Sequence, residues 1–464
     1  METSTLVFRS EVPVSVEKLF QWHQSPGALS RLMPPWENAR LISTDGSIEP
    51  GSSTTLQIKL GPVRLNWVAQ HTEFSLNHHF QDIQLSGPFS FWKHDHRFES
   101  SGENRSFLED RIEYRLPGGI LGGFIAGQSV TRKIERMFRY RHDTMIEDLK
   151  SYSQSIKANK MNIAISGSKG LIGSALWPYL ENDQHQLTRL VRSKPAGNEI
   201  AREITWNYQS DVFDAEKFAD IDSVIHLAGE SIADGRWTKA KKQRIVDSRF
   251  LGTKFLCEKL AKLPNPPKTF ICASAIGYYG ETGNHPVAED AACGDLFLSD
   301  ICRQWEEATQ SATDAGIRVV NLRFGVILSP KGGALAKMLL PFSLGAGGKI
   351  GNGRQFWSWI SLDDVISAIY FLLNNTKIAG PTNIVAPHAV TNLEFTKTLG
   401  KVLRRPTIFP MPHFAARVAL GEMVDDLLFA STRVVPQKLL DAGFEFRHPD
   451  LEPALRHLLG KQLN

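Results

Sequence analysis

Two different spacings of hydrophobic positions divide the chain near residue 155. In the front part, apolar and polar residues alternate one by one, the pattern of a half-buried strand. This alternation predicts strands at Thr5–Glu11, Thr54–Leu60, Val63–Thr72, Phe80–Leu85, Phe91–Glu99 and Ser106–Tyr114. Helical spacing covers Ser15–His23 and Pro26–Leu32. Gly51, Gly61-Pro62, Gly87-Pro88 and Gly102-Glu103-Asn104 punctuate the strands as hairpins require. A long helical pattern follows from Ile120 to Tyr152, with Ile134, Met137, Phe138, Met145 and Leu149 on one face. The segment Lys150–Lys160 is polar and aperiodic, which predicts a linker at 156–160. From Met161 the pattern changes. Short apolar runs (MNIAIS, QLTRLV, EITW, SVIHLA, TFICASA, RVVNLRF, TNIVA) alternate with helical stretches up to about residue 405. Such βα alternation predicts an α/β domain with a doubly wound parallel sheet. Residues 406–464 read as helical, with no clear strand run.

Composition narrows the function. The 464 residues suit about three domains. Their 53 basic and 49 acidic side chains leave a net charge of only +4, so no global field draws nucleic acid or a membrane surface. No apolar run reaches the roughly 18 residues of a membrane span. The N-terminus METSTLVFRSEVPV lacks the basic and apolar segments of a signal peptide. The four cysteines show no CxxC spacing, which argues against a disulfide framework and a zinc knuckle. The expectation is a cytoplasmic protein acting on a small molecule.

The strongest chemical signal is Gly167-Ser168-Lys169-Gly170-Leu171-Ile172-Gly173, which follows an apolar strand and opens a helix. The first glycine permits a tight turn, the second lets a pyrophosphate approach the backbone, and the third allows close helix–strand contact. The next strand ends Leu190-Val191-Arg192-Ser193-Lys194, with no carboxylate where an NAD site usually places one. A guanidinium and a hydroxyl suit a 2′-phosphate, so the expected cofactor is NADP (NADPH). His226-Leu227-Ala228-Gly229-Glu230 ends the fourth strand, where small residues let the adenosine and ribose lie against the sheet edge.

The order of elements in residues 1–155 resembles the helix-grip fold of the START and polyketide-cyclase-like superfamily, whose members hold apolar ligands between sheet and helix. The resemblance implies an α+β front domain with an apolar ligand. The strings SGSKGLIGSAL, HLAGESIADGRW, DSR (Asp247–Arg249), ASAIGYYG, CRQWEEA, LRFGVILSPKGGALAKMLLPF, GNGRQFWSWISLDD and VVPQKLLDAGFEF resemble an extended short-chain dehydrogenase/reductase. More narrowly, they resemble the atypical epimerase-like family often labelled nucleoside-diphosphate-sugar epimerase or cell-division inhibitor. That family implies NADP binding, with the loop glycines, Arg192, Leu227, Ala228 and Arg249 as contacts.

The resemblance breaks at the catalytic pair. Standard members use Tyr-x-x-x-Lys, and none of the eight tyrosines here has a lysine four residues later. The corresponding segment carries Cys302 and Glu306, and a carboxylate beside a thiol raises its pKa. Ser274, or Ala275 if the loop is one residue longer, occupies the end of the fifth strand near the family's catalytic serine. Tyr278 and Tyr279 follow, so Tyr278 or Cys302 is the expected proton donor. Glu230 and Arg236 lie after the fourth strand, where a loop can close on the nicotinamide. Arg354, Trp357, Trp359, Asp363 and Asp364 belong to the region that builds the substrate pocket in extended members. Lys239, Lys241, Lys242 and Arg244 read as a solvated helix face. His94 and His96 share one strand face, with His71 on another strand. No carboxylate or cysteine partner is evident for them, so no metal is expected. Two readings remain: an NADP-dependent oxidoreductase or epimerase, and a non-catalytic NADP(H) sensor.

Overall fold

The computed structural model describes residues 3–154, 160–193, 202–232, 235–414, 417, 421 and 424–461. The chain divides into two compact units, residues 1–158 with 181–184, and residues 159–180 with 185–464.

In the first unit, β1 (Ser4–Val12), α1 (Val16–Gln24) and α2 (Ala28–Leu32) precede strands β2 (Ala39–Thr44), β3 (Ser53–Leu60) and β4 (Val63–Ser75). Then come β5 (His79–Ser86), β6 (Phe91–Ser100), β7 (Ser106–Arg115) and the helix α3 (Gly119–Gln154). The seven strands form one antiparallel sheet in the order β1-β7-β6-β5-β4-β3-β2. Strict alternation buries every second residue of β7, from Ser106 through Leu108, Asp110 and Ile112 to Tyr114. On α3, Ile134, Phe138, Met145 and Leu149 are buried, and these side chains join Trp92, Ile112 and Tyr114 or Phe20, Phe80 and Phe98 in two apolar clusters. Each such side chain contributes roughly 1.5–3 kcal/mol on leaving water. Arg31 of α2 donates to both carboxylate oxygens of Asp148 on α3, at 2.8 and 2.7 Å. Helix α3 extends to Gln154, through the first part of the polar segment Lys150–Lys160; residues 156–159 of the expected linker lie outside the described residues.

The second unit holds an eight-stranded sheet. Its strands are β8 (Asn162–Ser166), β9 (Gln186–Val191), β10 (Glu203–Asn207), β11 (Val212–Phe213), β12 (Ser223–His226), β13 (Thr269–Ala275), β14 (Arg318–Phe324) and, last in sequence, a strand at Gly380–Ile384. Its spatial order is β11-β10-β9-β8-β12-β13-β14 followed by Gly380–Ile384, parallel throughout except at β11. Helices α4 (Leu171–Asn182), α5 (Lys239–Leu260) and α6 (Phe297–Glu307) connect the central strands. Every residue of β12 is buried, as a parallel sheet covered on both faces requires. The C-terminal region contains helices at Gln437–Asp441 and Leu451–Leu458. It also contains an extended run that the sequence did not reveal, in which Thr432 bridges Trp357 and Val434 bridges Val287. Among the described residues, no helix is long and apolar enough to cross a membrane.

Candidate functional site: the crevice at β8 and β12

The strand order of the parallel sheet reverses between β8 and β12, and open α/β sheets bind ligands in the crevice at such a point. Gly167 follows β8 with φ +70°, a value side chains resist. A Cβ there would also lie 2.8 Å from the Leu227 carbonyl carbon and 2.9 Å from the Ala228 nitrogen. At Gly173 a Cβ would lie 2.3 Å from the Gly167 oxygen. Two glycines are therefore demanded by backbone against backbone. Gly170 donates its N–H to the Gly167 carbonyl at 2.9 Å and is exposed, with Ser168, Leu171 and Ile172 completing the turn into α4. The unpaired N–H groups of that helix start suit a phosphate.

A pair of residues missed in the sequence shapes the opposite wall. The Ser166 hydroxyl accepts from the backbone N–H groups of Leu227 and Ala228, at 3.1 and 3.2 Å. The same hydroxyl lies within hydrogen-bond distance of His226 Nδ1, at 2.7 Å. Burial drives His226 down to a pKa of about 4, which keeps the ring neutral. The signal was a polar residue ending each of two apolar strands.

Arg249 fixes the next turn. Its guanidinium donates to the Glu230 carbonyl at 2.9 Å, lies 4.8 Å from the Trp305 ring centroid, and sits beside Gly229. Glu230 is held by Lys241 at 2.7 Å and Arg244 at 3.4 Å, and these partners keep its carboxyl below the usual range. Lys241 is thus buried and paired rather than part of a solvated face. Arg192 and Ser193 are exposed at the end of β9, while Lys194 lies outside the described residues.

The residues proposed for proton transfer lie beyond β13. Tyr278 sits on a single 3-10 turn, Ile276–Tyr279, and is partly exposed. Cys302 is 3% exposed, beneath Gly277, and burial followed by the neighbouring Glu306 pushes its thiol up to about 12. A weak acid with no open surface is a poor proton donor, so the cysteine packs the core. Ser274 is also buried, and its hydroxyl donates to Glu306 at 2.7 Å. The Arg323 guanidinium, 2% exposed, forks onto both oxygens of Glu306 at 2.8 Å each. It also donates to the Tyr279 hydroxyl at 2.8 Å and covers the Tyr278 ring at 3.6 Å from its centroid. Tyr279 in turn donates to Asn383 at 2.7 Å, and burial raises its phenol to about 12 despite Arg323. Glu306 is thereby locked into a carboxylate–guanidinium pair with Arg323.

Other expectations are corrected by burial. Trp359 is fully buried, donates to the His388 carbonyl at 3.0 Å and belongs to an apolar cluster with Trp357 and Phe395, so it offers no surface to a substrate. Asp364 is fully buried and accepts from Ser361 and from the Arg447 and His448 N–H groups. Arg236 and Arg354 are exposed.

A glycine turn at a switch point, a helix start facing it and a carboxylate-free second strand define a dinucleotide-binding α/β protein of the short-chain dehydrogenase type. The chain matches the NAD-dependent epimerase/dehydratase family over residues 163–385. Residues 12–139 match the polyketide cyclase/dehydrase and lipid transport family, and residues 411–458 a domain of unknown function, DUF1731. An epimerase family protein of Mycobacterium leprae is 41% identical over 300 residues, covering 65% of this chain and 96% of its own. The human epimerase family protein SDR39U1 is 34% identical, over 64% and 100% of the two chains. A crystal structure of that human protein with NADPH aligns at a TM-score of 0.58 and 31% identity, over 64% of this chain and 99% of its own. The nucleoside-diphosphate sugar epimerase of Corynebacterium glutamicum aligns at 0.80 and 32% identity, over 99% of this chain and 91% of its own. The chain belongs to the epimerase family of NAD(P)-binding proteins, with a polyketide-cyclase-like domain in front.

Proposed function

We propose that this protein is an NADP(H)-dependent oxidoreductase or epimerase acting on a small carbonyl, alcohol or sugar-like substrate. The observation that carries the cofactor choice is the end of β9, where exposed Arg192 and Ser193 stand and no carboxylate does. A 2′-phosphate is attracted by the guanidinium, where an acid would repel it. Replacing Arg192 with glutamate is expected to weaken NADPH binding by about 10–100-fold, or about 1.4–2.7 kcal/mol. NADH binding should change little, and equal losses for both nucleotides would contradict the assignment.

When bound, the nicotinamide supplies or accepts the reducing equivalent. The residues of this chain then orient it and handle the proton. Gly167, Ser168, Gly170, Leu171, Ile172 and Gly173 cradle the pyrophosphate; Leu227, Ala228, Gly229 and Arg249 flank the adenosine and ribose. Among the proposed donors, Tyr278 is the one with exposed surface, and Arg323 steadies its ring. Ser274 becomes a positioning residue through Glu306. Glu230, Arg236 and Arg354 remain candidates for substrate contact. Turnover against a panel of carbonyls with NADPH tests this reading. Tyr278→Phe should lower the rate by about 100-fold or more, the ordinary worth of a positioned general acid, with NADPH affinity unchanged. An unaltered rate would remove Tyr278 from the chemistry.

A second reading, a non-catalytic NADP(H) sensor, is favoured by one feature. The lysine of the standard pair is replaced by Glu306, already neutralised by Arg323. Tight NADPH binding with no oxidation on any carbonyl supports that reading instead. For the front unit, the match to a lipid-transport family supports an apolar small-molecule ligand. Four unpaired cysteines suit a reducing, cytoplasmic setting.

A further inference from the structure

The interior face of the front unit's sheet carries a group of side chains that the cofactor chemistry does not use. Sheet register sets His71 opposite Asp82 and Asp82 opposite His94, while His96 stands opposite Asp110. Residues opposite or two apart on adjacent strands share a face, so all five point to the same side. His94, His96 and Asp110 are buried there. The sequence showed the two histidines but not their carboxylates, which come from other strands.

The geometry is directional. Asp82 Oδ2 lies 3.4 Å from His94 Nδ1 and 3.6 Å from His96 Nε2. Two donors each roughly 2.1 Å from a tetrahedral ion stand about 3.4 Å apart. Asp110 Oδ1 lies 3.1 Å from His94 Nε2, to which it is hydrogen-bonded, and 2.7 Å from His96 Nδ1, which makes no hydrogen bond among the described residues. Asp110 Oδ2 is tied in turn to His142 Nε2 of α3 at 2.9 Å. A carboxylate hydrogen-bonded behind the His94 imidazole is the outer-shell support that orients a metal-ligating histidine and fixes its tautomer.

We propose that Asp82, His94 and His96 form a binding site for a divalent cation of the zinc type, with Asp110 and His142 as its outer shell. The three donor atoms lie within 4.8 Å of one another. Three protein donors leave one tetrahedral position for water or a ligand atom, as in sites that bind or activate a small molecule rather than close on the ion. Zinc suits two imidazoles and a carboxylate, whereas calcium and magnesium prefer oxygen alone. His71 presents a buried Nδ1 with no hydrogen-bond partner among the described residues, but it stands outside the set of mutually close donors.

The test uses the full chain, stripped by a chelator and titrated with Zn²⁺ by calorimetry, and with Co²⁺ by visible absorption. One ion per chain and the intense visible bands of four-coordinate cobalt are expected. His96→Ala should abolish those bands, and Asp110→Asn should weaken Zn²⁺ binding by roughly 10–100-fold. His448→Ala, in a separate Asp363/His448/His457 group, should leave binding unchanged. The wild-type cobalt spectrum needs no variant to fold. A pale six-coordinate spectrum, no stoichiometric binding, or binding lost in His448→Ala but kept in a folded His96→Ala would overturn the proposal. In those cases the cluster is an ion network holding α3 to the sheet.

Discussion

Arg323→Met is expected to destabilise the unit carrying the parallel sheet by about 3–5 kcal/mol, the ordinary cost of removing one partner from a buried ion pair. The guanidinium is 2% exposed and the Glu306 side chain 10% exposed, so water cannot replace the missing charge. Four other groups lose order with it: Tyr278, Tyr279, Ser274 and the Glu289 carbonyl all reach Arg323 or Glu306. The melting temperature should fall by on the order of 10 °C. The double variant Arg323→Met with Glu306→Leu should recover part of that loss, because an apolar pair leaves no orphaned charge. Calorimetry on the two single variants and the double variant measures the coupling. A loss under ~1 kcal/mol for Arg323→Met would mean that the pair is solvated.

The second large effect is expected at Gly173. A side chain there meets the Gly167 oxygen at 2.3 Å and the Ser168 Cα at 2.6 Å. Both contacts are backbone, so no rotamer relieves them. Gly173→Val must push the turn away from α4, misdirecting the N–H groups that would hold the pyrophosphate. Losing two such contacts at roughly 1.5 kcal/mol each weakens NADPH by on the order of 100-fold. The sheet itself is untouched, so far-ultraviolet circular dichroism should stay the same. Unchanged NADPH affinity in a folded Gly173→Val protein would place the nucleotide elsewhere.

How far the fold was legible depended on whether its information is local. Alternation and helical spacing located the main elements because the pleat and the helix each impose their own period on buried side chains. Strand β2 was missed because ARLIST lies at the sheet edge and exposes most of its side chains. The glycine turn was legible because seven consecutive residues carry it. The network around Glu306 was not, since its hydrogen bonds link residues 17, 32 and 44 positions apart. Its one local trace was an arginine inside the apolar run RVVNLRF. Lys241 misled for a related reason: a lysine on a helix reads as solvated until the fold brings Glu230 against it. Trp359 was ambiguous because a tryptophan serves equally as pocket wall or core. Asp82 and Asp110 joined His94 and His96 only once strand register was known.

The most direct test of the central assignment is equilibrium binding of NADPH and of NADH to the unmodified protein, followed by nicotinamide fluorescence. A crevice bounded by Arg192, Ser193 and the glycine turn should bind NADPH tighter by at least about 10-fold, or ~1.4 kcal/mol. Equal affinity for NADH, or no binding of either nucleotide, would contradict it.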